Sequence, residues 1–228
     1  IGYIGIRLFG ERRGILIAAL AGGLVSSTAA TLNFARLAKI HASDRAVMTG
    51  AIALAGAVMC VRILFIVGIF NFSLMMRLAP MMLAAMLVQA VIGLLLVSHG
   101  LKNAHDDLIW KNPFDVFSAL RFSILIGIIL MISTLAARHF GSDALMSVSA
   151  FAGLADVDAI TLSLARMQEP LIDVNIAADG ILIAAFTNTV MKAGLAAIAG
   201  GPETGGRVSA VNLAAILTAG ATYLLLGA

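Results

Sequence analysis

The sequence predicts an all-α, polytopic membrane protein, a bundle of about seven transmembrane helices. Hydrophobic residues make up 61% of the 228 residues, charged residues make up 12%, and the mean hydropathy is +1.04. Soluble domains contain roughly 45–50% apolar and 25% charged residues. The apolar residues occur in long uninterrupted runs, unlike the alternating pattern of a membrane β-barrel. The second indication of fold class is an internal repeat, described below.

Seven apolar segments have about the length that crosses a hydrocarbon core, roughly 17 to 25 residues. We expect each of them to form a transmembrane helix. In chain order the segments are 15–34, 46–70, 81–97, 117–137, 144–164, 176–199 and 208–227.

Polar residues concentrate in one stretch, about 99–116, which includes Asp106, Asp107 and Lys111. It predicts a linker between a first half, 1–98, and a second half, 117–228. The chain begins without methionine, and residues 1–9 resemble the end of another apolar segment. We therefore expect an upstream segment in a longer protein.

The net charge of +3 arises from basic residues near segment ends, which is ordinary for membrane proteins and predicts no nucleic-acid partner. A single cysteine, Cys60, excludes an intrachain disulfide and a cysteine metal cluster. No cleavable signal pattern is visible. The sequence also lacks a P-loop, an HExxH motif and a recognisable nucleophile–base pair. We therefore predict no enzymatic activity and no cofactor.

A fourteen-residue motif occurs twice. Residues 23–36 read GLVSSTAATLNFAR and residues 153–166 read GLADVDAITLSLAR. Aligned without a gap, seven of the fourteen positions are identical, whereas chance would give about one or two matches at usual residue frequencies. The sequence therefore contains a duplication.

The same offset of 130 residues places Arg62 opposite Lys192, so each copy carries a basic residue in its next apolar segment. Each repeat is predicted to contain a motif helix, a helix with a buried cation and a third helix. If every segment crosses fully, the repeats are parallel, whereas one re-entrant segment would invert them. Repeats packed around a midplane site are typical of secondary transporters.

Asp156 and Asp158 lie halfway along their apolar segment, where an ionised carboxylate costs at least roughly 2.5–3.5 kcal/mol. Residues two apart on a regular helix point in nearly opposite directions. If both carboxylates face one ligand, we expect the helix to break near Gly153, because glycine tolerates the required dihedrals. The matching positions of the first copy are the neutral Ser26 and Thr28.

The polar side chains of the apolar segments are mainly oxygen and amide donors, which suit hard cations such as magnesium, calcium or manganese. We predict a cation site between the two repeats. Its candidate ligands are Asp156, Asp158, Ser26, Thr28, Thr31, Thr161 and Asn188.

Arg62 and Lys192 allow two explanations. Two aspartates and two buried cations sum to zero, and intramembrane charges usually pair with one another. The cluster could therefore be structural, with salt bridges locking the halves together. Alternatively, Lys192 or Arg62 is a switchable counter-charge that holds the carboxylates until a cation or proton displaces it.

The two GL motifs, the NPF triplet at Asn112 to Phe114 and the NTVMK stretch from Asn188 to Lys192 resemble the carboxy-terminal module of MgtC/SapB-like membrane proteins, the domain of unknown function 4010. The resemblance covers essentially the whole chain. It implies an MgtC-like membrane region ahead of the module and transport of metal cations as the activity.

Two hypotheses follow. The first is a secondary transporter of divalent cations (Mg, Mn, Zn or Fe) in the bacterial inner membrane, surrounded by lipid. The second is a non-transporting, MgtC-like regulator that binds a partner membrane protein and uses the charged cluster structurally. Small-residue helix faces would permit a homodimer under either hypothesis.

Overall fold

The computed structural model describes residues 11–100, 145–166 and 173–226. Within these ranges the chain is helical apart from short connections, and it contains no strand, so the predicted all-α class is confirmed. A 3-10 turn, Ala42–Asp44, follows the first helix. The helices are α1 (Glu11–Ile40), α2 (Arg45–Phe70), α3 (Phe72–Gly100), α4 (Leu145–Ala155), α5 (Val157–Arg166), α6 (Val174–Gly200) and α7 (Pro202–Leu225).

Five described helical segments are long and apolar enough to cross a bilayer: Gly14–Ile40, Ala42–Phe70, Phe72–Gly100, Val174–Gly200 and Pro202–Leu225. The chain is therefore a multi-pass membrane protein. They correspond to five of the seven predicted segments. The predicted segment 117–137 and nearly all of the predicted linker lie outside the described residues. The remaining predicted segment, 144–164, for which we expected a break if both aspartates face one ligand, forms two short helices, α4 and α5.

A single residue separates α2 from α3, and a single residue separates α6 from α7. Between α2 and α3, the side chain of Asn71 accepts a hydrogen bond from the backbone N–H of Leu74 at 3.0 Å, which caps α3. Between α6 and α7, Gly201 takes a left-handed conformation with φ of +85°, and Pro202 begins the next helix. Glycine after a helix and proline in a first turn are the residues that these positions favour.

The duplication is also present in the helix boundaries. Shifted by 130 residues, the range of α2 becomes 175–200, and α6 spans Val174–Gly200. The same shift moves the start of α3 to 202, where α7 begins. The chain is thus built from an internal repeat, and Asn71 and Gly201 are equivalent turns made from different residues.

The described residues form two compact units. The first comprises 11–61, 81–100 and 192–225, and the second comprises 62–80, 145–166, 173–191 and residue 226. The core of the first unit surrounds the first half of α2, where every residue from 47 to 57 is buried. Gly50 and Gly93 let α2 and α3 approach backbone to backbone, since a Cβ on Gly50 would lie 2.7 Å from the carbonyl oxygen of Gly93.

Within the first unit, α1 folds back on itself at Ser26. Ser26 has an extended backbone, with φ of −162° and ψ of 108°. A Cβ on Gly22 would lie 3.3 Å from the Cβ of Ala30, although eight residues of straight helix span about 12 Å. Ile15 and Phe34, from opposite sides of the break, belong to one buried cluster. The two arms of α1 therefore lie side by side, so Gly14–Ile40 does not form one straight crossing helix although its length and composition would permit it.

Within the second unit, α4 and α5 also fold back on each other. A Cβ on Gly180 of α6 would lie 2.9 Å from Cδ1 of Leu164 and 3.0 Å from Oγ of Ser149. A straight helix would separate these two residues by about 22 Å. Helices α4 and α5 are therefore antiparallel arms of a hairpin, with Asp156 at the tip. We call residues 145–166 the second hairpin.

Gly153 sets how closely α4 approaches α6. A Cβ at this position would lie 2.3 Å from the carbonyl oxygen of Ala184 and 2.3 Å from Oγ1 of Thr187. Small residues allow such close packing between membrane helices. The motif glycine of the first copy, Gly23, similarly packs against the backbone of Ala55 in α2.

Gly153→Ala is predicted to destabilise the protein by about 1–3 kcal/mol, because the added methyl group overlaps the α6 backbone. Thermal unfolding in detergent should show a lower melting temperature. Gly194→Ala is the matched control. Among the described residues, nothing lies within 4 Å of a Cβ at Gly194, so that variant should be neutral or stabilised by up to about 1 kcal/mol. Equal melting temperatures would contradict the tight α4–α6 contact.

Candidate functional site

Asp156 is the residue at which α4 ends and α5 begins. Its backbone N–H donates to the carbonyl oxygen of Ala152 at 2.8 Å, which completes the last turn of α4. Its Oδ1 accepts the backbone N–H of Asp158 at 3.1 Å, the bond of a helix N-cap. The break that we expected at Gly153 thus lies three residues later. Gly153 itself remains helical, and a capping aspartate permits the break.

The first unit has the same local structure with different side chains. Ser26, the position equivalent to Asp156, accepts the backbone N–H of Ala29 at 3.2 Å. One turn later, Thr31 donates its hydroxyl to the carbonyl oxygen of Ser27 at 2.8 Å, and the equivalent Thr161 donates to Val157 at 2.7 Å. A serine and an aspartate therefore perform the same capping task.

Asp158 forms an ion pair with Arg62 through its Oδ2 and one guanidinium nitrogen. Each side chain is 21% exposed. Arg62 lies eight residues before Phe70, the end of α2, and so lies inside an apolar segment. Pairing lowers the cost of both charges at this depth.

Two oxygen atoms beside the break are buried and receive no hydrogen bond from the described part of the chain. They are Oδ1 of Asp158 and Oδ1 of Asn188. The amide nitrogen of Asn188 donates to the carbonyl oxygen of Gly153 at 2.9 Å, which fixes this side chain against α4, and Asn188 is only 2% exposed. Buried polar atoms are normally satisfied, so each of these two acceptors calls for an explanation.

Ser149 is a further polar residue of this region that sequence reasoning missed. It is fully buried, and its Oγ has no hydrogen-bond partner among the residues that the structure describes. The sequence does contain a signal for it. Ser149 lies four residues before Gly153, on the same helix face, and that face packs against α6.

The two aspartates have different surroundings. Asp156 is exposed at the tip of the second hairpin, whereas Asp158 is largely covered and paired with Arg62. In the described ranges no three His, Cys, Asp or Glu side chains lie together as a metal-binding group. A cation at this break would therefore also need neutral amide, hydroxyl or backbone oxygens, which are normal ligands of hard cations.

The remaining predicted site residues lie in the first unit. Lys192 is 4% exposed, and its Nζ lies 2.9 Å from Sδ of Met59. The prediction that both repeats supply ligands to one site stays a prediction. The first unit holds Ser26, Thr28, Thr31 and Lys192, and the second holds Asp156, Asp158, Thr161, Asn188 and Arg62.

These features define a multi-pass membrane protein with capped helix breaks and a charged residue pair at membrane depth. Residues 1–200 match the model of the family described as domain of unknown function (DUF4010), and the chain belongs to that family. It is also similar to an uncharacterized protein of Aquifex aeolicus (strain VF5), with 32% identity over 189 residues, which covers 82% of each chain. No solved structure matches.

Asp156→Ala is predicted to lower stability by about 0.5–2 kcal/mol, because α5 loses its N-cap. Asp156→Ser should retain most of that stability, since serine caps the equivalent break at position 26. Thermal unfolding of both variants beside wild type tests this. If serine were no better than alanine, Asp156 would not act as a cap.

The ion pair is tested by a double-mutant cycle. Asp158→Asn and Arg62→Gln should each destabilise the protein, because each leaves the partner charge largely buried without its counter-ion. The double variant should lose less than the two single losses combined, with a coupling energy of about 1–3 kcal/mol. Additive losses in thermal or denaturant unfolding would show that the pair contributes no coupling.

Proposed function

We propose that this protein is a secondary transporter of divalent metal cations, with its cation site at the break between α4 and α5. The observation that carries the proposal is the pair of buried, unpartnered acceptor oxygens on Asp158 and Asn188. A carboxylate and an amide oxygen accept hydrogen bonds or bind cations, and neither oxygen can donate. A desolvated cation supplies what both atoms lack.

The proposed ligands are all oxygen donors from one unit. Asp156 and Asp158 supply carboxylates, Asn188 supplies its amide oxygen, and Thr161 supplies a buried hydroxyl oxygen that still has lone pairs. Oxygen ligands of this kind suit magnesium or manganese best, and zinc or iron less well. Ser26, Thr28 and Thr31 are the neutral candidates of the other repeat.

Arg62 acts in this proposal as a built-in counter-charge. It neutralises Asp158 while no cation is bound. Because arginine remains protonated in proteins, it cannot leave the carboxylate by losing a proton. A cation bound at Oδ1 would therefore compete with the guanidinium group on Oδ2 for the charge of one carboxylate, and this competition would link binding to side-chain movement. Lys192, buried in the first unit, is the candidate for coupling to protons, because a lysine can lose its charge.

The energy source in this proposal is an ion or proton gradient, since the sequence contains no P-loop. Transporters commonly combine internal repeats with broken helices, and both features are present here. The resemblance to MgtC/SapB-like proteins adds metal transport and a bacterial inner membrane to the proposal. A homodimer remains compatible with it.

A second candidate function is a non-transporting membrane regulator. The Arg62–Asp158 ion pair favours it, because a purely structural cluster would contain this contact. In that case removing Asp158 would affect stability and leave cation binding unchanged.

The test is calorimetric titration of the purified protein with Mg, Mn, Zn, Fe and Ca, followed by uptake into proteoliposomes. The decisive variant is Asp156→Ser, which removes a carboxylate and retains a cap. Its matched control is Asp173→Ser. Asp173 is an exposed aspartate that caps α6, accepting the N–H of Asn175 at 2.7 Å.

We expect wild type and Asp173→Ser to bind and transport the cation, and Asp156→Ser and Asp158→Asn to lose both activities while remaining folded. Loss of one carboxylate ligand should weaken binding by at least about tenfold, or roughly 1.4 kcal/mol. No saturable binding by wild type, or unchanged binding and transport in folded Asp158→Asn, would overturn the transporter and support the regulator.

A further inference from the structure

We infer that the second hairpin is re-entrant: α4 and α5 enter and leave the membrane on the same side, and Asp156 lies at the tip in a water-filled cavity open to that side. The role of the cavity rests on the proposed function, because the cavity would be the route by which a cation reaches its site. The geometry of the hairpin does not depend on which cation binds.

Over the residues that the structure describes, neither arm of the hairpin is long enough to cross the membrane singly. Helix α4 has 11 residues and α5 has 10, which correspond to about 16 and 15 Å, half of a hydrocarbon core of about 30 Å. End to end they would just cross. They are instead folded together, since Ser149 and Leu164 meet the same point of α6 at Gly180.

The neighbours of α5 show which way the hairpin opens. Near its start Asp158 contacts Arg62, and at its end the guanidinium group of Arg166 lies 4.8 Å from the ring centroid of Phe70. The two contacts are eight residues apart on both helices, so α5 runs parallel to the second half of α2. The end of the hairpin opposite its tip, which we call the open end and which includes Arg166, therefore lies beside Phe70 at the end of α2.

The position of the tip follows from the same contacts. Arg62 lies eight residues, about 12 Å, before the end of α2. Asn188, bonded to Gly153 near the tip, lies fourteen residues, about 21 Å, after the start of α6. Both values place the break inside a hydrocarbon core of about 30 Å, away from the helix ends.

The break at this depth requires water. Non-helical backbone inside the hydrocarbon region is tolerated only where it is buried in protein or lines an aqueous cavity. Asp156 is not buried, and its carboxylate would be costly in contact with lipid. The exposed side of the tip must therefore face water, which reaches it from the open end of the hairpin.

A re-entrant second hairpin changes the relation between the repeats. If the predicted segment 117–137 crosses once, three crossings separate the start of α2 from the start of α6. The two helices then run in opposite directions, and the repeats are inverted. Our count of full crossings had predicted parallel repeats, with one re-entrant segment as the condition that would invert them. The back-folded α1 is the matching element of the first repeat.

The test is labelling of single cysteines with a membrane-impermeant thiol reagent, applied from either side of oriented vesicles in a Cys60→Ala background. Ser43→Cys and Ser73→Cys, at exposed positions before and after α2, calibrate the two sides. Ser147→Cys and Arg166→Cys report the two ends of the hairpin. Ala159→Cys, exposed near the tip, reports the cavity, and Leu87→Cys, exposed on α3, reports lipid.

We expect Ser147→Cys, Arg166→Cys and Ala159→Cys to label from the same side as Ser73→Cys. Ala159→Cys should react at least about tenfold faster than Leu87→Cys, because only a hydrated thiol ionises readily. Labelling of Ser147→Cys and Arg166→Cys from opposite sides would show a full crossing. An Ala159→Cys as slow as Leu87→Cys, in protein with wild-type melting temperature, would exclude the cavity.

These outcomes are independent of cation binding. If the cysteines label as expected but no cation binds saturably in the calorimetric titration, the re-entrant hairpin is retained and the transporter is rejected. If a cation binds saturably but the two ends of the hairpin label from opposite sides, the transporter is retained and the re-entrant hairpin is rejected.

Discussion

Every backbone polar group inside a bilayer needs a hydrogen-bond partner, and this requirement governs how a helix can be interrupted there. In the part of the chain that the structure describes, two apolar segments are interrupted, at Ser26 and at Asp156. In each case the interrupting residue accepts the N–H of a residue in the following turn. Each break thus carries its own cap. The arms on either side of each break are helical and fold back on each other.

Close packing of the hairpin arms depends on the second shared feature of the motif, its glycine. Gly23 lies against the α2 backbone and Gly153 against the α6 backbone. The glycine therefore holds each broken segment against the next helix of its own repeat. At the second break this contact brings Asn188 to the carbonyl oxygen of Gly153 and leaves the other amide atom of Asn188 as a buried acceptor.

The helical class, five apolar segments and the repeat were predictable from the sequence, because hydrophobic run length and residue identity are local properties. The break was predictable from two aspartates that share an apolar segment. The position of the break was not predictable, because we expected Gly153 to permit it, whereas the N-cap at Asp156 permits it. The hairpin could not be predicted from the sequence either, because segment 144–164 is as long as a crossing helix. Only tertiary contacts, such as that of Ser149 with Gly180, distinguish a hairpin from a crossing helix.

The repeat separates what the fold requires at position 156 from what it does not. Serine caps the first break, so a hydroxyl oxygen is sufficient for the local structure, and a negative charge at position 156 is not needed for capping. The charge at position 158 is likewise absent from the first copy, where Thr28 occupies the place. A carboxylate at membrane depth costs at least roughly 2.5–3.5 kcal/mol when uncompensated. Arg62 offsets the charge of Asp158, and water in the inferred cavity offsets that of Asp156. Neither charge is needed to cap the break, so the proposed cation site gives both carboxylates a role that the local structure does not.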